Sequence, residues 1–275
     1  MKKKVVFLTV LVFFGLTIFS GCATPPNIKD GKPKDDRKTS NSNKFNLWPL
    51  PPPEEYGNIL IDRTSSKNDI KPATFSHWSH RTKYTCRVCH FELNFAFGIN
   101  TTEITEEDNK NGLFCGACHD GKTVSDGKII FGHTRENCDK CHNGNISYGR
   151  ENFAELKSKL PKAKFGNEID WTQAVQKGII KPKYSIYKDE KPLDFDKKLE
   201  LSAEWSGISP AVFPHASHVQ WLDCSNCHPD IFNIKKKTTK HFEMKYILDK
   251  KFCGVCHLSV ALPIDDCKGC HPKMR

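Results

Sequence analysis

Apolar positions are unevenly spread along the 275 residues, and their spacing changes character several times. Lys2, Lys3 and Lys4 precede a largely apolar run from Val5 to Phe19. This is the pattern of a secretory signal over residues 1–21, shorter than the roughly 20 apolar residues of a membrane-spanning helix. Residues 22–73 turn to Lys, Asp, Asn, Ser and Pro, with Pro51, Pro52 and Pro53 consecutive. Such a stretch buries too little apolar surface to offset its ordering entropy, so a flexible tether of about 40 Å is expected. Its apolar exceptions, Leu47, Trp48, Leu50 and Ile59 to Ile61, are candidates to dock on the folded part of the chain beyond residue 73. Over residues 146–210, Phe153, Leu156 and Leu160 fall at helical spacing. Asp170, the run WTQAVQK and Gly178 then spell an N-cap, a short helix and a C-terminal stop. Trp171 and Trp205 read as packing residues in this connector of short helices.

The remaining segments repeat one pattern. Moving 138 positions along lays FSHWSHRTKYTCRVCH, residues 75–90, on FPHASHVQWLDCSNCH, residues 213–228. Phe75 meets Phe213, His77 meets His215, His80 meets His218, and the same offset carries FCGACH onto FCGVCH. The chain is a duplicated unit.

Six C-x-x-C-H strings use twelve of the thirteen cysteines: Cys86/Cys89/His90, Cys115/Cys118/His119, Cys138/Cys141/His142, Cys224/Cys227/His228, Cys253/Cys256/His257 and Cys267/Cys270/His271. Zinc sites, redox dithiols and disulfides also use C-x-x-C, but none of them requires histidine at the next position every time. Covalent haem does: two thiols add to its vinyl groups and the adjoining imidazole ligates the iron. Six haems c are therefore expected. The six other histidines, His77, His80, His133, His215, His218 and His241, match the six distal positions one to one. Methionine is the competing distal ligand, and beyond Met1 only Met244 and Met274 exist. Mostly bis-histidine, low-potential, six-coordinate iron is expected, with no vacant position for a substrate.

Each unit, F-x-H-x-x-H followed by three C-x-x-C-H motifs, resembles the c7-type triheme cytochrome domain, a relative of cytochrome c3 among the class III cytochromes. The resemblance covers triheme domains at residues 74–145 and 211–275 and implies a fold of short helices and coil wrapped around haems, with a strand or two near each F-x-H-x-x-H. Haem would supply much of the apolar core that so few residues cannot build alone. In that family the first histidine of the pair ligates the first haem and the second ligates the next. His77 and His215 would thus serve the haems on Cys86/Cys89 and Cys224/Cys227. His80 and His218 would serve those on Cys115/Cys118 and Cys253/Cys256. His241 would serve the haem on Cys267/Cys270. The first half departs from the plan, since Glu103 stands where His241 would be and His133 is left for the haem on Cys138/Cys141. The connector has neither cysteine nor histidine, so each half is expected to fold around its own three haems.

Ser20 and Gly21 before Cys22 resemble a bacterial lipobox, with Phe19 where leucine is usual. The resemblance implies a lipid on Cys22 and, with Ala23 next, an outer-membrane location facing the periplasm or the cell surface. The formal charge of +10 falls to +7 without Lys2 to Lys4. About twelve haem propionates and six ferric irons then bring it near neutrality, which removes the case for nucleic-acid binding. The expected activity is non-enzymatic electron transfer between redox partners, such as other multihaem cytochromes, towards extracellular acceptors such as metal oxides. A reductase with one open haem, and a structural subunit of a cytochrome filament or porin-bound conduit, are the rival readings.

Overall fold

Each half is built on a strand that runs straight into a histidine-bearing helix, and each borrows a partner strand from the segment before it. In the computed structural model, which describes residues 50–202, 207–235 and 243–275, β1 (Asn58–Ile61) pairs antiparallel with β2 (Ala73–Ser76), in register from Asn58 opposite Ser76 to Ile61 opposite Ala73. β2 continues into helix α1 (His77–Arg81). The signal segment, Cys22, Leu47, Trp48, Trp205 and His241 lie outside the described residues. The described residues belong to one compact unit.

Beyond α1 the first half holds α2 (Glu106–Lys110), closed by a Thr105/Asp108 capping box, and a two-residue hairpin of β3 (Val124–Ser125) and β4 (Lys128–Ile129). Asp126 and Gly127 both take positive φ there, +49° and +73°, the backbone that a tight two-residue hairpin turn demands. Helix α3 (Cys138–Cys141) carries the third motif.

The connector contributes α4 (Arg150–Ser158) and α5 (Trp171–Gln176). The expected cap is present: Asp170 accepts from the Gln173 N–H at 2.9 Å, and Gly178 takes φ +66° just beyond the helix. The second half then repeats the first, with β5 (Lys198–Leu201) against β6 (Ala211–Pro214), α6 (His215–Val219), α7 (Met244–Leu248), α8 (Gly254–His257) and α9 (Cys267–Cys270). β2 and α1 map onto β6 and α6 under the 138-residue offset, residue for residue.

Two expectations change. The tether does not extend to residue 73, because an isolated strand is unstable and β2 finds its partner in β1; Tyr56, just ahead, is 2% exposed and donates to the Ala261 carbonyl at 2.6 Å. Nor is the connector a mere link. A buried apolar cluster joins its Phe153, Leu160, Ile169, Ala174 and Ile180 to Trp78 of α1 and Trp221 of the second half. Through the connector the two halves share this cluster.

Candidate cofactor-attachment sites

The sites are defined by what the histidine rings do at Nδ1. His77 is hydrogen-bonded through Nδ1 to the Gly57 carbonyl at 2.6 Å, and its counterpart His215 to the Lys197 carbonyl at 2.7 Å. His80 is bonded to the Ser76 carbonyl at 3.0 Å, and His218 to the Pro214 carbonyl at 2.8 Å. The histidines that close the motifs do the same. His90 uses Phe95, His119 uses Phe131, His228 uses Phe232 and His257 uses Leu262, at 2.7 to 3.2 Å. His142 reaches the carbonyl of Lys71 at 2.9 Å and His271 that of Ser209 at 2.7 Å, equivalent positions just ahead of β2 and β6.

A carbonyl oxygen only accepts, so each of these ten Nδ1 atoms carries the hydrogen. In the neutral ring this leaves the lone pair at Nε2, the form in which histidine ligates metal. Desolvation acts in the same direction. It is the largest influence on His77, whose pKa falls to about 3, and on His80 and His218, which fall to about 4.

Two pairs face each other. The rings of His80 and His119 are 6.2 Å apart, centroid to centroid, and those of His218 and His257 are 6.1 Å apart. Two imidazoles bound to opposite sides of one iron, at about 2 Å per bond and about 1 Å from nitrogen to ring centre, stand about 6 Å apart. His90 lies within electrostatic reach of His77. The Phe of F-x-H-x-x-H, to which the sequence assigns no role, packs between the two histidines: Phe75 meets His77 edge-on at 4.8 Å and stacks on His80 at 4.3 Å, and Phe213 repeats this with His215 and His218 at 4.9 and 4.2 Å.

The third site of the first half is built differently. The stretch between His119 and Cys138 is longer than that between His257 and Cys267, and the extra residues hold the β3–β4 hairpin and His133. His133 Nε2 is buried without a hydrogen-bond partner and lies near His119. A buried, unsatisfied ring nitrogen is costly unless something outside the polypeptide uses its lone pair. Glu103, in the His241-equivalent position, is instead in an exposed ion pair with Arg63 at 3.2 Å.

Eleven of the twelve motif cysteines are free thiols. Desolvation pushes the Cys89, Cys253 and Cys256 thiols up to about 12, and Cys115 and Cys227 up to about 11. Redox dithiols show the opposite shift. Among the described residues no three or more His, Cys, Asp or Glu side chains converge as a metal cage. The residues present fit a ligand that brings its own equatorial donors, takes two thioethers and needs only axial imidazoles.

Residues 73–143 and 211–272 both match one family, described as cytochrome c7 and related cytochrome c. Among solved structures, the C-terminal hexaheme fragment of GSU1996 is 24% identical over 78% of this chain and 96% of that one, with a TM-score of 0.24. Its N-terminal hexaheme fragment is 22% identical over 79% and 99%, with a TM-score of 0.23. The dodecaheme cytochrome c GSU1996 is 20% identical over 80% and 75%, at 0.27. No curated protein matches. The chain carries two tandem cytochrome c7-like domains, whose family binds haem c and transfers electrons.

Proposed function

We propose that this chain is a lipid-anchored electron carrier holding six bis-histidine haems c, exported to the outer membrane and facing the periplasm or the cell surface. The observation that carries the reading is the Nδ1 pattern: ten of the eleven described histidines donate to a backbone carbonyl and keep Nε2 for iron, while the eleventh, His133, buries an unpartnered Nε2. Such bonds orient the imidazole and raise its basicity.

The cysteine pairs would hold the macrocycles, with His90, His119, His142, His228, His257 and His271 as proximal ligands. His77, His80, His133, His215, His218 and His241 would be distal. Haem supplies reversible one-electron chemistry, and the protein's part is to place the sites, shield them and set their potentials. Met244 and Met274 are 44% and 36% exposed, which supports histidine over methionine and hence low potentials. Partners are other redox proteins, with multihaem cytochromes and extracellular metal oxides as the expected classes.

The testing experiment is an intact mass and an optical spectrum on protein matured with haem-attachment machinery. Six haems, all low-spin, are expected; five or fewer after complete maturation would sink the reading. One observation favours a reductase as the second reading: the divergent third site of the first half. Carbon monoxide binding by one haem in six would select it.

A further inference from the structure

The attachment loops of the first and fourth motifs grip each other, each through a residue lying between its own two cysteines. Arg87, between Cys86 and Cys89, is 4% exposed. Its Nε donates to Asp223, directly ahead of Cys224, at 3.3 Å, and its backbone N–H donates to the Trp221 carbonyl at 2.8 Å. Asn226, between Cys224 and Cys227 and 6% exposed, returns the contact by donating its amide to the carbonyl of His90 at 3.0 Å. The rest of the Arg87 guanidinium is also engaged, with Glu92 at 2.5 Å, Glu190 at 3.1 Å and the Tyr184 carbonyl at 3.1 Å. Desolvation works against its charge, but the bonds to Glu92 and Asp223 and the charge of Glu190 outweigh it and raise its pKa. A second tie starts from the same region: Arg81 donates to the Val260 carbonyl at 3.1 Å, and Val260 is itself bonded to the Cys256 carbonyl.

Chain order would make the third motif the neighbour of the second half, since it is the last before the connector. The contacts single out the first. We propose that the two halves exchange electrons through the haem on Cys86/Cys89, and that Arg87 is the positioning residue holding this site against the second half. The proposal rests on the electron-carrier reading. One electron passes per event: one iron is oxidised, the other is reduced, and no bond or proton is exchanged. A guanidinium fork suits the task because it fixes several carboxylates at set angles, which a point charge does not.

The test uses the full chain matured with its haems. Exchange NMR through successive stages of oxidation gives the redox interaction between each pair of haems. The strongest interaction between halves should involve the haem on Cys86/Cys89. Arg87→Gln should weaken that interaction at least twofold while leaving haem number, spin state and the interactions within each half unchanged, and Arg87→Lys should restore part of it. Another haem leading the interaction between halves, or an Arg87→Gln protein with the wild-type pattern, would overturn the proposal. The wild-type map decides the first point even where the variant does not mature. A protein that takes up no haem would instead overturn the carrier reading itself, a result distinct from either.

Discussion

The indole of Trp78 meets the ring of Phe153 edge to face, with centroids 5.2 Å apart, so a residue of α1 is packed on the connector. Trp78 is 5% exposed and Phe153 4%, and the same cluster continues to Trp221 of the second half. Aromatic pairs in this arrangement contribute about 1 kcal/mol beyond the area they bury.

Phe153→Ala should therefore cost about 3 to 5 kcal/mol and lower the unfolding midpoint by roughly 10 °C, although the residue belongs to the connector and to no C-x-x-C-H motif. Thermal unfolding followed in the Soret band checks this on protein with its full haem complement. A midpoint within about 2 °C of wild type would show that the haems, not the connector, carry the common core.

His80→Met should raise the potential of one haem, that on Cys115/Cys118, by on the order of 100 mV, a fraction of the range that axial ligands span. His218→Met should do the same to the haem on Cys253/Cys256, because its ring makes the same bond at Nδ1 and faces His257 as His80 faces His119. Haem number should stay at the wild-type value. A redox titration that superimposes on wild type would remove these distal assignments.

His133→Ala should convert one low-spin haem into a high-spin one that binds carbon monoxide, and the affected haem should be that on Cys138/Cys141. The motivation is the buried Nε2 that no protein group satisfies. Electron paramagnetic resonance of the ferric protein reads the result directly. An unchanged spectrum would mean that this iron takes its sixth ligand elsewhere.

Cys22→Ser should move the mature protein from the membrane fraction to the soluble one and remove the mass of the lipid, with haem content unchanged. Membrane retention of the variant would separate the anchor from Cys22.

The periodic and repeated features were legible in the sequence. The offset that matches Phe75, His77 and His80 to Phe213, His215 and His218 also matches β2 and α1 to β6 and α6, and Asp170 and Gly178 bound α5 as their cap chemistry requires. The carbonyl acceptors of the histidine rings were not legible. Gly57, Lys197, Lys71 and Ser209 act through backbone carbonyls, which every residue type possesses, so no side chain marks them. Ile59 to Ile61 stood out as apolar residues able to dock, but their form as strand β1 was not legible, because a four-residue strand has no periodicity to show and forms only against β2. Asp126-Gly127 was a readable hairpin signal that the spacing of the cysteines overshadowed. Arg87 reads as an ordinary intervening residue of a C-x-x-C until the chain brings Asp223, Glu92 and Glu190 around it.

The carbonyl of Lys71 and the rings of His77 and His80 all belong to one ten-residue stretch, and Ser209, His215 and His218 form its copy. Each stretch therefore serves as a jig: in either half, a histidine ring or a ring-holding carbonyl for each of the three proposed haem sites comes from one strand, the residues just ahead of it and the helical turn that continues it. Thermal breathing of the outer loops changes how well those positions are covered. Under the proposed function, the spacing of the sites would then be set by the jig, apart from the loops that make up most of the chain.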